Sequence, residues 1–270
     1  ERTGNMEGLE ETSRRLLNLE PTETPARELL TRLLFEKGKD EQALDVVRPG
    51  LSWDKGGRLW RLVALIEGNR KDYRSAAKAW IKACRRTPGN HMWRLELAES
   101  LLQCSKFISA RRLAESIYKN GQETSRASFL TGRALVAEGD RSSAAPWFRR
   151  AAEAEYKPGL CYLELGRCFL AQKAYPEAHG ILSRAVELRA QDPEARYALA
   201  ETAALIGRTT EALAHLEDLL AIKPDRWDAL LLKGRLLWQE GRLDAAGKTF
   251  MYAVRSDPEN PMVVGPAAQF

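Results

Sequence analysis

The sequence contains little of what cross-links a chain or holds it in a membrane. Its 270 residues include only four cysteines, and no run approaches the roughly 20 apolar residues that a membrane-spanning helix needs. The cysteines lack Cys-x-x-Cys spacing, which argues against a zinc or redox site and favours buried free thiols: Cys84, Cys104, Cys161 and Cys168. The first residues, ERTGNMEGLEE, are too polar for a signal peptide. We therefore expect a folded, soluble chain of the cytoplasm or the periplasm, and attachment to a removed anchor stays open.

Motifs for catalysis and cofactor binding are missing as well. The sequence has no GxGxxG, GxxxxGK[ST] or GxSxG motif, so the commonest signatures of nucleotide and acyl-transfer chemistry are not found. Its three histidines, His91, His179 and His215, are scattered without paired spacing, which argues against a metal site. We predict that the chain is not an enzyme and uses no cofactor and no metal.

What the sequence does have is an internal period of 34 residues. Segments that start at Gly159, Pro193 and Trp227 align without gaps, and the phase extends upstream to starts at Ser125, His91, Gly57 and Thr24, with one single-residue slip. Alanine fills position 20 of every unit: Ala43, Ala76, Ala110, Ala144, Ala178, Ala212 and Ala246. Positions 4, 7, 8 and 11, and then 20, 24 and 27, recur at helical intervals. Each unit is therefore predicted to be two amphipathic helices with a turn near position 15.

The residues at the turn and at the helix contact support this interpretation. Glycine occupies the turn in four units, at Gly38, Gly139, Gly207 and Gly241, where a left-handed conformation is costly for other residues. Small residues at positions 8, 20 and 27 let the two helix axes approach closely, and a larger side chain there would overpack the contact.

These positions resemble the tetratricopeptide repeat (TPR) family, whose pattern is W-x2-L-G-x2-Y, then A-x3-F, then P. The pattern is clearest in two units, at Tyr162, Leu165, Gly166, Phe169, Ala178, Leu182 and Ala185, and at Gly234, Gly241, Ala246, Phe250, Ala253 and Pro258. The resemblance implies an all-α fold, a right-handed α-solenoid of stacked helix-turn-helix units. It also implies that the chain binds a peptide or a helix of a partner protein.

The period predicts the domain organisation. Residues 1–23 are expected to form a leading helix, as a partial repeat or an N-terminal cap. Seven units follow over 24–258, at 24–56, 57–90, 91–124, 125–158, 159–192, 193–226 and 227–258, and a tail covers 259–270. The tail contains no polar capping helix, so either Met262, Val263 and Val264 cover the last unit or another domain or subunit does. Self-association through this end stays open.

Positions 2, 5, 9, 12 and 13 of each unit lie on the other side of the first helix, and stacking is expected to line them along a concave groove. The predicted protein-binding groove contains Arg32, Phe35, Arg58, Arg61, Glu99, Phe129, Arg133, Arg167, Tyr197, Glu201, Arg235 and Trp238, and the same positions hold Leu95, Arg126, Leu163, Glu194, Asp228 and Leu231. Arginine at position 9 of four units either binds partner carboxylates or pairs with neighbouring glutamates. The aromatic residues either anchor a partner or pack against an adjacent helix.

The groove lacks the signature of one known TPR ligand. No three consecutive units carry the Lys and Asn pattern of the TPR domains that clamp a chaperone's C-terminal carboxylate, so that ligand is not supported.

The basic charge, +5 overall with a pI near 9.0, concentrates in residues 57–90, which hold nine basic side chains against two acidic ones. A basic ridge is predicted along the second helix of this unit, at Lys71, Arg74, Lys78, Lys82 and Arg85. A solvated convex face is the favoured interpretation, with acidic protein, anionic lipid and nucleic acid as alternatives; nucleic acid is disfavoured because interleaved aromatics are missing.

The sequence thus predicts a non-catalytic protein-interaction scaffold. Its composition, rich in Leu, Ala and Arg, suggests a bacterial protein, and by analogy an envelope, secretion, pilus or polysaccharide assembly. The alternative is an accessory TPR region of a larger enzyme, such as a glycosyltransferase or protease, whose catalytic domain lies outside this chain.

Overall fold

A computed structural model describes the backbone of residues 2–267 and the side chains of residues 6–265. Throughout this range the chain is built from α-helices, with one 3-10 turn at Arg48–Gly50 and no strand. The all-α fold that the sequence predicts is confirmed. Among the described residues, no helix combines the length and the apolar character that crossing a membrane would take.

The chain divides into two compact units, Glu1–Gly139 and Asp140–Phe270. The first unit contains α1 (Arg2–Leu19), α2 (Thr24–Glu36), α3 (Asp40–Val47), α4 (Arg58–Asn69), α5 (Tyr73–Arg86), α6 (His91–Gln103), α7 (Phe107–Lys119) and α8 (Thr124–Ala137). Each of these helices packs against a sequence neighbour, and the first helices of successive pairs also touch, α2 on α4 and α6 on α8. This is the arrangement expected of stacked helical hairpins.

The second unit contains α9 (Arg141–Glu153), α10 (Pro158–Ala171), α11 (Tyr175–Leu188), α12 (Pro193–Leu205), α13 (Thr209–Ile222), α14 (Trp227–Gln239), α15 (Leu243–Ser256) and α16 (Pro261–Ala267). Here α10 contacts α12, and α12 contacts α14, so the first helices again lie side by side. We retain the predicted repeat boundaries as a proposal. Each interval holds one pair of helices, with α8 and α10 beginning one residue earlier than proposed.

The turns between paired helices all use one backbone geometry. Each turn is three residues long, and its second residue has a left-handed φ, as at Gly207 (79°) and Gly241 (76°). Glycine adopts this conformation at little cost. Three turns place other residues there, Lys71 (63°), Ser105 (61°) and Lys173 (59°), so the sequence identified the turns but not all of the residues that adopt this conformation.

Close approach of the paired helices explains the small residues of the repeat. Every alanine at position 20 is at most 1% exposed. A Cβ added to Gly166 would lie 2.5 Å from the Leu182 side chain, and one added to Gly234 would lie 2.4 Å from the Phe250 ring. In these two units, glycine at position 8 therefore leaves the space that the bulky side chain at position 24 fills.

The tail, for which no polar capping helix was expected, forms the short apolar helix α16, which packs on α14 and α15. Val263 of this helix is fully buried in the same cluster as Ala246 and Phe250, whereas Met262 and Val264 are exposed. The helix begins after Asn260, whose Oδ1 atom accepts from the Met262 amide at 3.0 Å. Its seven residues are too few to show a helical period, so periodicity did not predict it.

Candidate functional site

Ion pairs connect the first helices of the first unit. Arg126 of α8 places its Nη2 atom 2.8 Å from both Glu96 Oε1 and Glu99 Oε2 of α6. Glu99 also lies 3.8 Å from Nη1 of Arg133, two turns further along the groove face of α8. Glu99 and Arg133 thus form a shared network in which Arg126, with a 14% exposed side chain, is the central group. These pairs agree with the interpretation in which groove arginines are neutralised by neighbouring glutamates.

The other predicted groove residues of this unit form longer ion pairs or none. Arg32 lies 3.9 Å from Glu36, and Arg58 lies 3.8 Å from Glu28, both at the limit of an ion pair. Arg61 and Phe35 are half-buried. The structure contradicts the alternative that Phe129 is an exposed anchor, because its ring is only 3% exposed, and the Arg133 guanidinium lies 5.8 Å from its centre.

A second chain of ion pairs runs along the first helices of the second unit. Arg167 of α10 donates from Nη2 to Glu194 Oε2 of α12 at 2.9 Å, and Arg226 donates from Nη1 to Glu194 Oε1 at 2.8 Å. Arg226 also binds Asp228 through Nε at 2.8 Å, and its guanidinium lies 4.7 Å from the centre of the Tyr197 ring. Sequence reasoning missed Arg226 because it is the N-cap residue of α14, outside the helical positions that were counted.

A cavity of 380 Å³ opens on this face, between α12, α14, α15 and α16. It is lined by Tyr197, Trp227, Asp228, Leu231, Arg235, Phe250 and Met262. Aromatic and aliphatic side chains form most of its wall, and Asp228 and Arg235 are its two charged groups. Asp228 is already bound by Arg226, whereas Arg235 has no carboxylate within 4.0 Å in the described part of the chain.

Burial shapes the electrostatics around the cavity. Glu201 of α12 is half-buried and forms no hydrogen bond or ion pair with the described residues. Burial, with help from the charge of Asp228, raises its pKa, while Arg235 and Arg167 oppose the increase. Burial likewise raises the pKa of Tyr197 to about 12, so its phenol stays neutral at physiological pH.

The predicted groove residues therefore divide by exposure. Arg32, Arg58, Arg235 and Trp238 are exposed, Phe35, Arg61, Glu99, Arg133, Arg167, Tyr197 and Glu201 are half-buried, and Phe129 is buried. The aliphatic residues at the same positions, Leu95, Leu163 and Leu231, are also buried. Of the four aromatic candidates, Tyr197 is the one that lines the cavity.

The basic ridge lies apart from these faces, on α5. Arg74, Lys78, Lys82 and Arg85 are exposed along this helix, but Lys71 lies in the turn before it, so the ridge extends beyond the helix on which it was predicted. The Nζ atom of Lys82 lies 4.0 Å from the centre of the Trp60 ring.

Cysteine and histidine side chains form no reactive centre in the described residues. Burial raises the pKa of Cys84 and Cys168 to about 11 and that of Cys161 to about 12, so these thiols stay protonated. Cys161 and Cys168 are buried as expected, whereas Cys84 and Cys104 are half-buried. His179 and His215 lie 2.8 and 3.9 Å from Glu211, and no group of three potential metal ligands occurs in residues 6–265.

Family comparisons agree with this architecture. One tetratricopeptide repeat model matches residues 105–159 and 197–261, and a second matches residues 135–202. The chain belongs to the tetratricopeptide repeat family.

Individual relatives are distant. DnaJ homolog subfamily C member 7 of Homo sapiens is 23% identical over 203 residues, and the Mus musculus protein is equally similar. The match covers 71% of this chain but spans only 41% of either relative.

Similar solved structures include YrrB, described as a TPR protein with an unusual peptide-binding site (22% identity, TM-score 0.63, 72% of this chain and 100% of that one). MamA is similar at 20% identity and a TM-score of 0.57, over 60% of this chain and 95% of that one. The APC/C hetero-tetramer Cut9-Hcn1 is similar at 20% identity and a TM-score of 0.63, over 87% of this chain and 46% of the compared chain. At these identities the structures show the fold alone.

Proposed function

We propose that this protein is a non-catalytic interaction scaffold that binds a segment of a partner protein on the first-helix face of its second unit. The observation that carries the proposal is the 380 Å³ cavity of apolar and aromatic walls with Arg235 at its edge. Membership of the tetratricopeptide repeat family supports a protein partner. YrrB, a protein of the same fold, is described as having a peptide-binding site.

The cavity suits one large apolar or aromatic side chain of the partner. Interface anchors of this kind contribute most when they enter a pocket that excludes water. Tyr197, Leu231 and Phe250 supply apolar surface for such a side chain. The Arg226 guanidinium lies over the Tyr197 ring and forms an ion pair with Asp228, and these two contacts keep the aromatic wall in place.

Arg235 gives the proposed site its preference of charge. Its guanidinium is exposed and has no hydrogen bond or carboxylate partner in the described chain. A planar guanidinium can donate two parallel hydrogen bonds to a carboxylate. We therefore propose that the partner segment places Asp, Glu or its own C-terminal carboxylate next to the residue that enters the cavity.

A phage-displayed library of random peptides, selected on the whole protein, tests the proposal. Enriched peptides should share an apolar or aromatic residue beside a carboxylate. Their dissociation constants, measured by fluorescence anisotropy, should increase roughly tenfold or more for Arg235→Glu, because attraction becomes repulsion. The matched control is Arg255→Glu on α15, which makes the same change of charge at an exposed arginine outside the cavity. Equal affinities of the two variants, or no enrichment of any peptide, would refute this site.

The remaining predicted groove residues are proposed as secondary contacts. Arg167 pairs with Glu194 at 2.9 Å and with Glu164 at 3.2 Å, so its exchange should change affinity less than that of Arg235. Arg133, at the limit of an ion pair with Glu99 and 5.8 Å from the centre of the Phe129 ring, is expected to have an intermediate effect. The bacterial origin and the role in a particular assembly stay predictions.

A further inference from the structure

We infer that the basic ridge, Lys71, Arg74, Lys78, Lys82 and Arg85, is a second binding site, which takes an acidic polypeptide segment carrying an apolar side chain. This site is on the first unit and does not depend on the function proposed for the cavity of the second unit.

The ridge carries charge that the protein leaves uncompensated. All five side chains are exposed, and within the described residues none has a carboxylate within 4.0 Å. Neighbouring Arg70, by contrast, pairs with Glu41 at 2.6 Å and with Glu67 at 3.7 Å. The nearby carboxylate of Asp72 is occupied as the N-cap of α5, where it accepts from the Ser75 amide at 3.0 Å. No carboxylate of the described chain therefore neutralises the ridge cations, of which Lys82 alone is seen to lie over an aromatic ring, 4.0 Å from the centre of Trp60.

The geometry of the ridge matches a single polypeptide segment. From Arg74 to Arg85 the helix rises about 16 Å, and the four helical members fall within an arc of roughly 80°. They form one narrow row of positive charge along α5. An acidic helix or extended segment laid along this row can place a carboxylate opposite each cation.

An apolar hollow adjoins one end of the row. It has a volume of 550 Å³ between α5, α6 and α7, and its wall includes Ile81, Leu97 and Leu113. Arg85 belongs both to the ridge and to this hollow, and Arg94 lines it as well. Arg94 donates to the Ser116 hydroxyl at 2.8 Å and has no carboxylate partner among the described residues. An apolar side chain flanked by acidic residues fits this combination.

The same surroundings disfavour nucleic acid and membrane. Single-stranded nucleic acid needs exposed aromatic rings for stacking, but Trp80 is buried and Lys82 already covers Trp60 at 4.0 Å. Membrane binding by an amphipathic helix needs apolar side chains that project beside the basic ones. On α5 the apolar residues Ala76 and Ala79 are buried instead.

The experiment uses the whole protein and four probes at low salt. The first probe is a fluorescein-labelled oligoglutamate of about 12 residues with one leucine, and the second has serine in place of leucine. The third is an oligothymidylate, and the fourth is vesicles of phosphatidylserine and phosphatidylcholine. The ridge variant is Arg74→Glu with Lys78→Glu. Its matched control is Arg149→Glu with Lys248→Glu, an equal change of charge at exposed residues of the second unit.

The leucine peptide is expected to bind the wild type more tightly than the serine peptide, and the ridge variant should bind it roughly tenfold more weakly. The control variant should stay within about twofold of the wild type, and circular dichroism should show both variants folded. Three outcomes would each overturn the inference: equal loss in both variants, equal binding of the two peptides, or ridge-dependent binding of the oligonucleotide or vesicles in preference to the leucine peptide.

Discussion

Arg226 donates a hydrogen bond of 2.8 Å from its Nη1 atom to Oε1 of Glu194, and this contact connects the start of α14 to the start of α12. Arg167 binds the other oxygen of the same carboxylate, so both oxygens of Glu194 accept a hydrogen bond from an arginine. Arg235, two turns along α14 from Asp228, lies outside this network. In the second unit, Arg226 and Arg167 thus have a structural role, whereas Arg235 is available for binding.

Arg226→Ala should destabilise the second unit by about 1–3 kcal/mol, because it leaves Asp228 and Glu194 without their shared partner and uncovers Tyr197. Arg235→Ala, which removes an unpaired guanidinium, should change the free energy of unfolding by less than about 0.5 kcal/mol. Urea denaturation followed by circular dichroism measures both. Similar values for the two variants would contradict the division between structural and available arginines.

The contact of Gly234 with Phe250 predicts a position-specific response to a methyl group. Gly234→Ala should destabilise the protein by about 1–3 kcal/mol, since the new Cβ would lie 2.4 Å from the ring. Gly247 on α15 has open space around it, and Gly247→Ala should stabilise the helix by about 0.5–1 kcal/mol. Thermal unfolding of the two variants should therefore shift in opposite directions. A shift in the same direction would argue against the close approach of α14 and α15.

Lys173 adopts a left-handed conformation, with φ at 59°, in the turn between α10 and α11. Lys173→Gly should stabilise the protein by up to about 1 kcal/mol, because glycine takes this conformation without steric cost. Lys248→Gly, in the interior of α15, removes the same side chain from a helical position and should cost about 1 kcal/mol. Chemical denaturation distinguishes these outcomes, and a loss of stability in Lys173→Gly would contradict the turn geometry.

His215 predicts a dependence of stability on pH. Burial lowers its pKa from the ordinary value of 6.5, and Arg196 and His179 act in the same direction while Glu211 and Asp218 oppose them. The unfolded chain therefore binds a proton more readily than the folded one, so the contribution of His215 is present above pH 6.5 and is lost as the pH falls below it.

His215→Gln cannot take up this proton and should flatten the decline in unfolding free energy below pH 6.5. Glu211, whose pKa is lowered by its hydrogen bond to His179 against the opposing effect of burial, adds a further loss at more acidic pH in both proteins. Urea denaturation at a series of pH values provides the comparison. Parallel curves for wild type and variant would show that His215 does not contribute.

Much of the fold could be predicted from the sequence, because every unit needs small residues at the same positions, where its two helices approach closely. Ala178 and Gly166 could be placed at helix contacts by counting, since only small residues fit where axes approach closely. The turn residue Lys173 could not be recognised, because its conformation is imposed by the helices on either side.

The candidate site was predicted less completely. Counting placed Tyr197 and Arg235 on one face, and both line the cavity, but it also placed Phe129 there as an exposed candidate, although packing buries that ring. Neither Arg226 nor Met262 belongs to the counted positions, and both act through tertiary contacts with α12 or α14. Periodicity identifies the face of a helix, whereas a cavity depends on several elements at once.

Photo-cross-linking tests the central claim most directly, because two methionines differ in position but not in exposure. Met262 lines the cavity and is 66% exposed, whereas Met251 is 69% exposed and does not line it. A selected peptide with a benzophenone in place of its apolar residue should cross-link to Met262, as identified by mass spectrometry. Labelling of Met251 instead, or of both methionines equally, would contradict binding in the cavity.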